Sequence, residues 1–291
     1  MTSHLLRTAL YAPAANERAV SKADSLGADA VIFDLEDSVA PDAKTAARTL
    51  LANLAPASES LRILRVNASA TPWHEDDIAV AVTLQPHALL LPKVNGQEDI
   101  WSFKRLISLQ RPSRPIALWA MIETAAGVLN APAIAAALGP QGVMVLGLND
   151  LSKETGLAQR PDRLPMAAAL TMTVLSARAH GVAILDGVFN ALDDDAGFEA
   201  ECRQGRSFGF DGKTVIHPRQ IAAANTLFAP QPEEVMEAQS IVDAFAIPEN
   251  ASKGVIALGG KMVERLHFDM ARTVLVKAAL IKRRQNAQMT L

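Results

Sequence analysis

Polar residues recur at one kind of place in this sequence, the downstream end of a short apolar run. Glu36-Asp37 closes the run Ala30–Leu35, Arg65 and Asn67 lie in Leu61–Asn67, and Lys93 lies in Ala88–Val94. Glu123 follows Ile116–Ile122, Asn149-Asp150 follows Val143–Leu148, Asp186 lies in Val182–Val188, and His217 follows Gly212–Ile216. Any one of these is explained by a helix cap or a solvated loop. The same placement after seven runs points to a shared site.

The residue types set the chemistry. Glu123 and Asp150 follow consecutive runs, and no histidine or cysteine cluster accompanies them. Hard oxygen ligands select Mg²⁺, with Mn²⁺ as the near alternative, over Zn²⁺. Arg65 beside such an ion is a fork for a substrate carboxylate, a contact worth about 1.5–3 kcal/mol. Glu36 and Asp37 are placed to hold Arg65 and to orient water. Asp186 and His217 divide evenly between structural and catalytic parts, and Lys93 admits a Schiff-base role.

Such a site needs strands that end together. The seven runs, with Leu6–Ala12 before them, are nearly continuous in apolar residues, as strands buried on both faces are. Between them lie Glu17–Leu26, Asp42–Leu54, Trp73–Thr83, Gln97–Leu109, Asn130–Leu138, Pro165–His180, Asp193–Ser207 and Pro218–Phe228, all of helical period. Strict alternation of eight and eight predicts a TIM (β/α)₈ barrel, whose active site sits where strands end and βα loops begin. An open doubly wound sheet is the rival, but no G-x-G-x-x-G follows the first run. The stretch Ser207–Thr214 ends like a phosphate loop, yet it lacks the first glycine and precedes a strand.

The composition changes after Phe228. Residues 1–228 are expected to form the barrel and 229–291 a helical extension, either a cap or an arm reaching a neighbouring subunit. Ala229-Pro230-Gln231-Pro232 is a stiff connector to a helix over Glu233–Phe245. Gly259-Gly260 marks a turn, and a basic helix is expected from Val263 to about Arg284, with Glu264 opening it.

The remaining composition excludes other classes. With 28 basic and 31 acidic residues the net charge is −3, and aromatics are only 4%, which argues against nucleic-acid binding. Apolar runs break well before the 18 residues a membrane span needs. Cys202 stands alone among 291 residues, which excludes a disulfide framework and suits a reducing, cytoplasmic setting. The N-terminal stretch, with Arg7 inside it, is not expected to be a signal peptide.

Beyond these patterns, several motifs resemble the citrate lyase beta-subunit-like family of the HpcH/HpaI aldolase superfamily. They are Arg7-Thr-Ala-Leu-Tyr-Ala-Pro, Phe33-Asp-Leu-Glu-Asp-Ser, Arg65-Val-Asn, Pro92-Lys-Val, Ile122-Glu-Thr-Ala, Leu148-Asn-Asp-Leu, Leu185-Asp-Gly-Val and Phe210-Asp-Gly-Lys-Thr-Val-Ile-His-Pro. The resemblance implies a TIM barrel, Mg²⁺ on Glu123 and Asp150, and Arg65 as substrate ligand. It implies cleavage of a carbon–carbon bond in a 3-hydroxy-3-carboxyacyl-CoA (malyl-, citramalyl- or citryl-CoA) to a 2-oxo acid and acetyl-CoA. Alternatives are hydrolysis of malyl-CoA and a non-catalytic subunit of an acyl-carrier assembly. By the same likeness Tyr11, Arg18 and Lys22 face the CoA, and the chain is a homo-oligomer, a trimer or hexamer. Two departures stand out. Many relatives have glycine where Ala14 stands, and Glu264 occupies the place of an aspartate that enters the neighbouring subunit's site.

Overall fold

The computed structural model describes residues 4–54 and 60–288. Eight parallel strands close into a barrel in sequence order. They are β1 (Thr8–Pro13), β2 (Ala30–Asp34), β3 (Leu61–Arg65), β4 (Ala88–Leu91), β5 (Ala117–Ile122), β6 (Val143–Leu146), β7 (Ala183–Asp186) and β8 (Gly212–Val215). The last strand returns to the first, pairing Thr8 with Lys213, and the circle leaves no free edge. This is a TIM (β/α)₈ barrel.

Six of the eight strands stop one to three residues short of the downstream end of the apolar run that announced them, while β5 ends with its run and β1 extends one residue past it. The trailing residues leave the ladder as βα loops, which is where the polar groups collect. Around the barrel run α1 (Glu17–Lys22), α2 (Lys44–Ala52), α3 (His74–Leu84), α4 (Gln97–Leu109), α5 (Ala125–Leu129), α6 (Ala131–Leu138), α7 (Leu148–Thr155), α8 (Ala167–Ala179), α9 (Asp195–Phe208) and α10 (Arg219–Leu227). The short helices α5 and α7 were not foreseen, because five and eight residues hardly sample a 3.6-residue period. Asp150 therefore stands in the first turn of α7, not at a strand end.

Alternation along the strands sorts side chains between two cores. Val31, Phe33, Leu64, Leu89 and Leu91 point outward into the layer beneath the helices. Ala30, Ile32, Ile63, Leu90, Trp119, Met121, Val145 and Leu185 fill the barrel's interior. Continuing the inward parity along β2, β3 and β5 reaches Asp34, Arg65 and Glu123, so the site grows out of the inner packing layer.

The chain divides into two compact units between Phe228 and Ala229. In the second, α11 (Pro232–Ala246) starts on a capping box in which Gln231 N donates to Glu234 Oε2 at 2.7 Å. An antiparallel hairpin follows, β9 (Val255–Leu258) and β10 (Lys261–Glu264), and then α12 (Arg265–Gln288). Gly259 and Gly260, at φ of 57° and 77°, form the two-residue connection that favours positive φ at both positions. The hairpin corrects two expectations: the extension is not purely helical, and Glu264 ends a strand where it was expected to open the helix. Glu264 pairs with Val255 across the hairpin while Val263 turns inward onto Phe245 and Ile256. Among the described residues no helix is long and apolar enough to cross a membrane.

Candidate active site

A cavity of about 460 Å³ opens at the downstream end of the strands. Tyr11, Asp34, Asp37, Arg65, Met121, Glu123, Asn149, Asp150 and Asn190 supply its polar and polarisable lining, and Leu146, Leu148, Val188 and Ile216 its apolar part.

Arg65 is the centre of one wall. Its Nε and Nη2 donate to the two oxygens of Asp34, each at 2.6 Å, across the register that sets Asp34 beside Arg65. Its Nη1 lies 3.0 Å from Glu36 Oε2 and 3.5 Å from Asp37 Oδ2, and its guanidinium stacks 5.1 Å from the centre of the Tyr11 ring. The bidentate face of the fork is thus engaged by Asp34. Burial alone would raise the Asp34 carboxyl, but the charge and hydrogen bonds of Arg65 outweigh it and hold the group low. Glu36 moves the other way, pushed up by burial with Asp37 adding to it. Beneath this wall the buried Lys44 ammonium donates to Leu35 O, Glu36 O and Asn67 Oδ1 at 2.7–2.8 Å, which fixes the loop after β2.

Glu123 is the exception among these buried charges. Its Oε1 accepts the backbone N–H of Lys93 at 2.6 Å, and its Oε2 is buried without a partner among the described residues. Burial, and then the Glu36 carboxylate, push its carboxyl up to about 8. Lys93 reaches this position with φ of 52°, an uncommon left-handed conformation for a residue with a side chain. Gly147, between β6 and α7, leaves the room Glu123 needs: a Cβ there would lie 2.4 Å from Glu123 Cβ and 2.5 Å from Oε2.

Asp150 is half-buried and lines the same cavity. A partnerless buried carboxylate oxygen and a second carboxylate in one cavity are suited to a divalent cation. The donors are hard oxygens, and among the described residues no set of three or more His, Cys, Asp or Glu converges. That fits Mg²⁺ or Mn²⁺, which use one or two carboxylates and complete their shell with water and substrate.

The other expected site residues fall elsewhere. Tyr11 lies in the cavity, its hydroxyl 3.9 Å from Met121 Sδ, while Arg18 and Lys22 are exposed on α1 and do not line it. Lys93 Nζ lies 3.3 Å from Glu36 Oε1, and although burial lowers its pKa, Glu36 outweighs that and raises it, which disfavours a Schiff-base nucleophile. Asp186 is fully buried between Arg163 and Lys213, a structural arrangement. Glu264 is exposed, its N–H donating to His267 Nδ1 at 2.9 Å. Asp34, Asn190 and the backbone of Lys93 were not foreseen. For Asp34 a signal existed: an aspartate at inward parity inside an otherwise apolar strand.

Residues 7–218 match the HpcH/HpaI aldolase/citrate lyase family. A (3S)-malyl-CoA thioesterase of Cereibacter sphaeroides is 46% identical over 282 residues, covering 96% of each chain. The citrate lyase subunit beta of Leuconostoc mesenteroides subsp. cremoris is 33% identical over 90% of this chain and 89% of its own. The crystal structure of protein CitE from Mycobacterium tuberculosis, in complex with magnesium, acetoacetate and coenzyme A, superposes with a TM-score of 0.77. It is 29% identical and covers 96% of this chain and all of its own. The chain therefore belongs to the HpcH/HpaI aldolase/citrate lyase family.

Proposed function

We propose that this chain is a Mg²⁺-dependent enzyme of 3-hydroxy-3-carboxyacyl-CoA thioesters, acting on (3S)-malyl-CoA and hydrolysing it to malate and free CoA. The observation that carries the reading is the cavity itself, where Glu123, with its partnerless Oε2, shares the lining with Asp150 and Arg65. Likeness to a (3S)-malyl-CoA thioesterase at 46% identity, against 33% to a citrate lyase beta subunit, favours hydrolysis.

A divalent cation held by Glu123 and Asp150 supplies Lewis-acid polarisation of substrate oxygens, worth several kcal/mol in the transition state. The protein's own groups do the remaining work. Lys93 N–H fixes Glu123 through Oε1. Arg65, locked by Asp34, offers the substrate carboxylate its field and the one Nη2 N–H that Asp34 leaves free. Glu36 and Asp37 orient water and hold Arg65. Tyr11 contacts the bound acyl group, and Arg18 and Lys22 receive the CoA. Glu264, delivered by a neighbouring subunit of a homo-oligomer (trimer or hexamer), moves a proton. The setting is cytoplasmic.

A second reading, cleavage of the carbon–carbon bond to glyoxylate and acetyl-CoA, is favoured by the likeness to citrate lyase beta subunits and to the CitE complex. Product analysis separates the two. Malate and thiol in equal amounts support hydrolysis, and glyoxylate with acetyl-CoA supports the lyase. Absence of turnover by the isolated chain on malyl-, citramalyl- and citryl-CoA points to an assembly-dependent subunit. Glu264→Gln is expected to cut turnover by about 10²–10⁴, the usual scale of general acid–base catalysis. Mixing it with Glu123→Gln protein should restore activity. A monomer by light scattering removes the shared site.

A further inference from the structure

Between the loops after β6 and β7 lies a pair of amides that the reading above does not use. Asn149, in the first turn of α7, and Asn190, in the loop before α9, both line the cavity. Asn190 Nδ2 donates to Asn149 Oδ1 at 2.8 Å, and Asn149 Nδ2 donates to Asn190 Oδ1 at 3.3 Å. The orientation of both amides follows from a third. Gln159 Nε2 donates to the backbone oxygen of Leu148 at 3.3 Å and to Asn149 Oδ1 at 3.0 Å. A carbonyl oxygen only accepts, so the Gln159 atom is nitrogen. The Asn149 atom facing it is then oxygen, and the Asn190 atom facing that oxygen is nitrogen.

Each amide nitrogen carries two hydrogens and uses one within the pair, so one N–H on each side chain remains without a partner among the described residues. The loop that presents Asn190 is held from two sides. Lys213 Nζ donates to Gly187 O at 2.5 Å, and Gln220 Nε2 donates to Phe189 O at 3.1 Å. Donors held in place before the substrate arrives need no reorganisation when charge develops. The cavity they line holds the apolar Leu148, Val188 and Ile216 as well as the carboxylates Asp34, Asp37, Glu123 and Asp150, the last next to Asn149 in α7. Carboxylates attract a cation, whereas neutral amide donors suit an oxygen acceptor that gains charge beside that cation.

We propose that Asn149 and Asn190 bind the thioester carbonyl oxygen and stabilise the negative charge it gains, an inference that rests on the acyl-CoA reading above. In hydrolysis a water oxygen bonds to the carbonyl carbon while the C=O π pair moves to oxygen. Return of that pair breaks the C–S bond, and the thiolate takes the proton that water released. In carbon–carbon cleavage the C2–C3 pair forms the C1–C2 double bond and the π pair moves to the same oxygen. The hydroxyl proton leaves to a base and C3 becomes the 2-oxo carbonyl. Both courses load charge onto one atom, so the pair serves either outcome.

The test uses two unreactive CoA ligands with the malyl head group, bound to the Mg²⁺-loaded full chain by calorimetry. One is a ketone, with the thioester sulfur replaced by methylene. The other is a thioether, with the carbonyl replaced by methylene. The wild type should favour the ketone by about tenfold, the scale of one or two hydrogen bonds. Asn190→Ala, an exposed loop change, and Asn190→Asp, which keeps the shape and removes the donors, should bring the ratio to near one. On malyl-CoA, kcat should fall about 10²-fold, as on loss of an oxyanion donor, with melting temperature unchanged. A ratio unaltered in both variants overturns the proposal, as does a parallel loss of affinity for both ligands and for free malate, which would assign the pair to the carboxylate. Failure of the wild type to bind either ligand overturns the acyl-CoA reading and this inference together.

Discussion

Two buried charge clusters sit on the same barrel and behave in opposite ways. At β7 and β8, Asp186 receives Arg163 Nη1 at 2.8 Å, Arg163 Nη2 at 2.5 Å and Lys213 Nζ at 3.3 Å, and Lys213 reaches on to Glu201 at 2.7 Å. Its carboxylate is enclosed on every side. Burial raises the Asp186 carboxyl, but Lys213 and Arg163 outweigh it and hold it low. At β2, β3 and β5 the carboxylates Asp34, Glu36, Asp37 and Glu123 outnumber Arg65 and Lys93, and Glu123 Oε2 has no hydrogen-bond partner among the described residues. A buried charge that is fully partnered holds a fold together. One left short of partners marks where an external ion or substrate is to complete the set.

The comparison can be broken by deleting one carboxylate from each cluster. Glu123→Gln and Asp150→Asn should each lower turnover by about 10³-fold or more, consistent with loss of several kcal/mol of transition-state stabilisation. They should also abolish Mg²⁺ binding by calorimetry, while Glu123→Gln keeps or raises the melting temperature. Full activity after exhaustive EDTA treatment contradicts the metal assignment. Asp186→Asn should do the reverse, costing about 3–5 kcal/mol of stability by stranding buried Lys213 and Arg163. Chemical denaturation gives that number, and an unchanged midpoint removes the structural role.

Arg65→Lys sharpens the contrast within the site. Lysine cannot reproduce the bidentate hold on Asp34, and the loss is expected to reach about 10–10² in kcat/KM, the worth of a charged hydrogen bond. Wild-type kinetics in Arg65→Lys would make Arg65 a structural partner of its carboxylates only. A further contrast lies in pH. In metal-free protein Glu123 binds its proton more tightly folded than unfolded, because its carboxyl sits near 8 against an ordinary 4.5. Its contribution is complete below 4.5 and fades as pH climbs toward 8, and Glu123→Gln should flatten that slope. Asp186, held below its ordinary 3.8, gives stability that is complete above 3.8 and is lost only in stronger acid. Melting curves from pH 3 to 9 in EDTA, recorded for the wild type and both variants, check the two signs.

Much of the architecture was legible because parallel strands leave continuous apolar runs, and eight of them alternate with helical segments. Glu123 and Asp150 were legible by position, as acids after consecutive runs. What escaped depends on contacts between strands. The pairing of Asp34 with Arg65 is a matter of β2–β3 register, and nothing local to either residue announces it. The Asp186–Lys213–Arg163 cluster draws on residues 163 to 213, so Asp186 alone read as an even choice. The β9–β10 hairpin was missed because its strands mix exposed and buried residues over four positions each, although Gly259-Gly260 was visible as a turn.

The left-handed Lys93 divides one residue between two inheritances. Its main chain anchors Glu123, and its side chain separately neutralises Glu36. Any amino acid that tolerates the positive φ, glycine most readily, preserves the first contact, since every residue but proline brings the same N–H. Descendants of this protein are thus free to retune the charge around Glu36 at position 93 without disturbing the anchor of Glu123.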